Sequence, residues 1–106
     1  ALHGTNSILV FTAEGLVDAP ETRPDVMEML GTQFKAHPPI GKFQVEVVNT
    51  DHELTRGIAD FEVVDELYLS KTTAPIDTLM QTTFEGEATG FVDAQWDKTT
   101  VPIVYT

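Results

Sequence analysis

The stretch GKFQVEVVNTDHELTRGIADFEVVDELYL, residues 41–69, decides how this chain is read. Phe43, Val45 and Val47 alternate with Gln44 and Glu46, the two-residue period of a strand with one buried face. Asn49-Thr50-Asp51 then supplies turn chemistry, and residues 54–58 fit a short helical turn. The period of two resumes at Phe61. Phe61, Val63 and Asp65 share one face and Glu62, Val64 and Glu66 the other, which predicts a strand running on through Tyr68 and Leu69.

Upstream, His37-Pro38-Pro39-Ile40-Gly41 is a stiff loop, because two prolines and a glycine suit neither helix nor ladder. Before it lies the clearest helix. Thr22 or Arg23 flanks its start, Pro24 occupies the first turn, and Asp25 and Glu28 favour the positive end of the dipole. Val26, Met27, Leu30 and Phe34 recur at helical spacing, with Gly31 ending or fraying the helix. Residues 14–23 read as loop, and the apolar run 7–12 fits a strand or a helical turn. Downstream, residues 79–84 form a third strand, and residues 85–100 are loop-like and hold Gly86, Gly90 and Trp96. Residues 101–105 form a last strand, in which Pro102 marks an edge or an entry. One helix and about four strands make a mixed α/β chain.

Six Lys and Arg against seventeen Asp and Glu leave a net charge of −11 in 106 residues. That excludes a nucleic-acid backbone binder, which needs clustered cations, and disfavours an anionic membrane surface. With no cysteine, thiolate nucleophiles, disulfides and Cys-ligated metals are excluded within these residues. No apolar run approaches the roughly 18 residues of a membrane span. One acidic domain is expected, with a cytoplasmic location as the default. Ala1-Leu2-His3-Gly4 at one end and the apolar run 101–105 at the other suggest a domain cut at both ends. An uncovered sheet edge would then favour a homo-oligomer.

The common catalytic signatures are absent: neither Ser7 nor Ser70 sits in G-x-S-x-G, and no phosphate-binding glycine loop exists. His52-Glu53 opens an H-E-x-x-H pattern, but Arg56 stands where the second histidine should be. Three clusters remain. In His3-Gly4-Thr5-Asn6 the glycine permits close approach of a ligand, and Thr5 and Asn6 can bind hydroxyls; a polar turn is the plainer account. Asp51-His52-Glu53 places carboxylates beside an imidazole suited to general acid–base work, or is a solvated turn capped by Asp51. In Asp65-Glu66-x-Tyr68 a carboxylate and a phenol share a strand face, or form an exposed acidic strand end. His37 is either a ligand or a loop-packing residue. The histidines and Glu66 suffice for a divalent-metal site if they meet.

The order of these motifs resembles the trehalose-utilisation (ThuA-like) domain family. Leu2-His3-Gly4, Leu30-Gly31-Thr32-Gln33-Phe34, His37-Pro38, Asp51-His52, Thr55-Arg56-Gly57-Ile58 and Asp65-Glu66-Leu67-Tyr68 follow the family's sequence of motifs across essentially the whole chain. Glu53 departs from it, standing for a proline, as does Thr32, standing for a second glycine. The resemblance implies one partial ThuA-like domain over residues 1–106, with segments of the family domain missing at both ends. It implies a flavodoxin-like, glutamine amidotransferase-like fold, a mainly parallel sheet with flanking helices, whose catalytic cysteine is here absent.

The resemblance further implies processing of a sugar or keto-sugar derivative, with a small carbohydrate as partner. His3, His52 and Glu66 would lie nearest the cleft as catalytic groups or metal ligands. Thr5, Asn6, His37, Asp51 and Tyr68 would contribute ligand binding. Glu66 would act as base or ligand, with His52 positioned by Asp51 and His3 at the elbow. The alternative is a non-catalytic carbohydrate-binding or interaction module, with Trp96 beside Gly90 and Phe91 as a stacking platform. A core tryptophan is the plainer account of Trp96.

Overall fold

The computed structural model describes residues 24–88 and 95–106. A single short helix, α1 (Pro24–Leu30), is followed by β1 (Thr32–Ala36), β2 (Gly41–Val47), β3 (Phe61–Asp65), β4 (Leu69–Thr72), β5 (Thr78–Glu87) and β6 (Gln95–Tyr105). β1 and β4 form a two-stranded sheet, and the other four strands form a second sheet in the order β3-β2-β5-β6. All pairings among the described residues are antiparallel. No helix among them is long and apolar enough to cross a membrane.

This corrects the expected mainly parallel, flavodoxin-like sheet with flanking helices. The described residues are 55% strand and 9% helix, with one helix. The physical reason lies in the connections. A parallel neighbour needs a crossover of a dozen or more residues, usually a helix. Residues 48–60 between β2 and β3 hold only turns, and seven residues separate β5 from β6. Such links return the chain beside itself, and hairpins result. Exposed polar residues alternating with covered ones along β2 suit a sheet wetted on one face.

Local chemistry explains the boundaries. The helix ends one turn before the spacing of Phe34 suggests, because Gly31 adopts φ +83° and its N–H donates to Met27 O at 3.0 Å. Phe34 instead lies in β1, opposite Ser70. The predicted run from Phe61 through Leu69 breaks after Asp65. Its partner, Gly41, is the first residue of β2, and Pro38 and Pro39 before it cannot prolong the ladder. Leu69 therefore opens β4 and pairs with β1. The stretch read as loop from 85 contributes Gly86 and Glu87 to β5 and residues 95–100 to β6, where Gly86 faces Trp96. Pro102 does lie on an edge strand.

The core is an apolar cluster of Ala36, Leu67, Leu69, Ala88, Trp96 and Val101, with Phe43, Phe84 and Ile103 packed against it. It draws on both sheets. A polar clamp reinforces the junction: Tyr105 Oη donates to Leu30 O at 2.9 Å and therefore accepts from Thr32 Oγ1 at 2.8 Å. Thr73 Oγ1 donates to Met27 O at 2.5 Å, so carbonyls at the helix end are satisfied by other elements. A Cβ on Gly31 would meet Ile76 Cγ2 at 2.5 Å in a backbone conformation that L-residues rarely adopt. Gly31→Ala is therefore expected to cost about 1–3 kcal/mol, read from denaturant unfolding. A neutral substitution would show that the helix end can relax.

Candidate functional site

The site begins with an alternation that outlasts its strand. Along Glu66-Leu67-Tyr68-Leu69 the two leucines are 3% and 0% exposed, whereas Tyr68 is 47% exposed and Glu66 half-buried. Burying each leucine is worth about 1.5–3 kcal/mol, which fixes the backbone between them. Glu66 and Tyr68 are thereby turned away from the core. They line a pocket of about 260 Å³ with Thr32, Phe43, Asp65, Leu67, Ser70, Pro102, Ile103 and Tyr105.

His37, at the end of β1, completes the arrangement. Its Nδ1 lies 3.3 Å from Glu66 Oε1 and 2.9 Å from Pro38 O. Both neighbours are acceptors while Glu66 is ionised, so Nδ1 carries the ring proton, and in the neutral ring Nε2 is the proton-accepting nitrogen. The ring also stacks against Tyr68 with centroids 5.9 Å apart and planes at 28°, and Tyr68 packs on Phe34 at 4.9 Å. The rings of His37, Tyr68 and Phe34 and the Glu66 carboxylate thus hold one another, and of these Glu66 and Tyr68 line the pocket. This arrangement can orient a flat polar ligand and move a proton. The His37-to-Gly41 loop borders a second hollow of about 190 Å³, which shares Phe43, Asp65 and Leu67 with the first.

Of the other expected site residues, Asp51 and His52 lie elsewhere. His3, Thr5 and Asn6 fall outside the described residues. Asp51 and His52 occupy the link between β2 and β3, whereas Glu66 follows the opposite end of that hairpin, where Gly41 pairs with Asp65. The intervening strand spans about 20 Å. Asn49, rather than Asp51, caps the turn, since its Oδ1 accepts the N–H groups of Asp51 at 3.1 Å and His52 at 3.2 Å. His52 Nδ1 accepts Leu54 N–H at 3.1 Å, and its carbonyl accepts Thr55 N and Arg56 N. His52 thus serves the turn it belongs to. The family resemblance set His52 beside His3 and Glu66 nearest the cleft; the histidine in contact with Glu66 among the described residues is His37.

No group of three or more His, Cys, Asp or Glu is placed to hold a metal ion among the described residues. Trp96 is 8% exposed and belongs to the core cluster, which overturns its reading as a stacking platform. Its Nε1–H has no acceptor among the described residues. A further hollow of about 600 Å³ beside it is lined by Lys71, Thr72, Asp97 and Thr100 among others.

The chain matches the ThuA family, described as trehalose utilisation, over residues 3–106, and so belongs to it. No curated protein and no solved structure matches the chain.

The unequal burial of neighbouring residues yields a test. Leu67→Ala should lower unfolding free energy by about 2–4 kcal/mol through a core cavity. Tyr68→Ala should cost only about 0.5–1.5 kcal/mol, the worth of its ring contacts. Equal losses in denaturant unfolding would place the Tyr68 ring in the core.

Proposed function

We propose that this ThuA-family chain processes a sugar or keto-sugar derivative in the Glu66–Tyr68 pocket, with His37 and Glu66 as its acid–base pair. The observation that carries this is the 3.3 Å contact between His37 Nδ1 and Glu66 Oε1, where Glu66 lines a pocket that also holds two tyrosines. Small-molecule pockets commonly occupy about 300–1,000 Å³, so this one has room for one sugar ring and leaves a second ring outside. Tyr68, whose ring is half exposed, offers an apolar face to the C–H side of that ring. The carboxylates accept hydrogen bonds from its hydroxyls.

In this reading Glu66 fixes the His37 tautomer and orients the imidazole, so that Nε2 takes a proton from a substrate hydroxyl or from carbon beside a carbonyl. The charged ring then faces the Glu66 carboxylate and later returns the proton. The family description supports a role in trehalose utilisation, and the pair supports the chemistry.

The test is to incubate the chain with trehalose and with a keto derivative of it, following products by NMR. His37→Ala and Glu66→Gln should each reduce turnover by about 10²–10⁴-fold with melting temperature nearly unchanged. Full turnover in both variants would remove the pair from the mechanism. Binding of the sugar that Tyr68→Ala abolishes, without turnover in the parent chain, would make this a carbohydrate-binding module instead.

A further inference from the structure

The pocket lining combines acidic with apolar residues. Asp65 and Glu66 supply adjacent carboxylates, while Pro102, Ile103 and the Tyr105 ring supply apolar surface. Two hydroxyls in the lining are already engaged, since Thr32 donates to Tyr105 and Tyr105 donates to Leu30 O. Asp65 Oδ1 accepts Glu66 N–H at 2.8 Å, which holds the two acidic residues in a fixed relation. The other polar side chains of the lining are the Asp65 and Glu66 carboxylates, which accept and never donate, and the hydroxyls of Ser70 and Tyr68.

Among the described residues no lysine or arginine lines this pocket, and His37, which contacts Glu66, is the basic group beside it. The described lysine and arginine side chains are Lys35, Lys42, Arg56, Lys71 and Lys98. Lys42 pairs with Glu62 at 3.1 Å, and Lys71 lines the neighbouring hollow beside Trp96. The net charge of −11 adds a field of the same sign.

We propose that Asp65 and Glu66 form a charge filter: the pocket accepts an uncharged polyol, whose hydroxyls donate to the carboxylates, and rejects the phosphorylated form of the same sugar. This rests on the sugar reading above and adds a specificity role for Asp65. Repulsion between a phosphate and two carboxylates at close range, partly screened by water and salt, corresponds to roughly tenfold or more in affinity.

The experiment is calorimetric titration of the chain with trehalose and with trehalose 6-phosphate at low and physiological salt, repeated on Asp65→Asn. That variant keeps the Oδ1 acceptor and removes the charge. The neutral sugar should bind at least about tenfold more tightly at low salt, with the ratio shrinking as salt rises and again in Asp65→Asn. Should Asp65→Asn fail to fold, the salt series on the parent chain decides the matter. Equal or tighter binding of the phosphate ester would overturn the filter while leaving the sugar reading intact. A ratio insensitive to both charge removal and salt would also overturn it, since discrimination would then be steric. Binding of neither sugar would overturn the sugar reading and the filter together.

Discussion

Burial of Leu67 and Leu69 against Trp96, Val101 and Ala36 is the constraint on which the rest depends. It ties the two sheets into one core at the place where the chain passes from β3 to β4. A segment without ladder hydrogen bonds would ordinarily wander at such a crossing. Here two buried leucines, spaced two apart, anchor it to the core. The polar residues between and before them then face outward by geometry alone. Core packing and site construction are one event in this region.

The same economy appears at the clamp. Tyr105 closes the last strand onto the helix end and β1, and its ring also forms a wall of the pocket. Leu30 O would otherwise be a helix-end carbonyl in need of a partner. The long β5–β6 hairpin carries that tyrosine into position, paired from Thr78 opposite Tyr105 to Glu87 opposite Gln95. A strand-ending aromatic thus serves the fold with its hydroxyl and the site with its ring.

The sequence made the β2 strand, the Gly31 helix stop and the turn after Val47 legible, because each depends on local chemistry. Arrangement was less legible. The parallel sheet came from likeness to a family and not from any crossover helix in residues 41–105, where the described links hold only turns and bends. Residues 95–100 were hidden because Asp97, Lys98 and the two threonines look like loop, although threonine suits a pleated surface. Glu66 and Tyr68 were found from a period of two, and the structure seats them on one pocket. The partnership of Glu66 with His37 depends on where β1 ends relative to β3, information that no spacing along the chain contains.

The central claim is that Glu66 and His37 meet at the pocket with the proton on Nδ1. Long-range proton–nitrogen NMR on the uniformly ¹⁵N-labelled chain reads this directly. The account predicts that the neutral His37 ring is the Nδ1–H tautomer, with that nitrogen's resonance moving on Glu66→Ala. A His37 ring in the Nε2–H form, unmoved by Glu66→Ala, would contradict it.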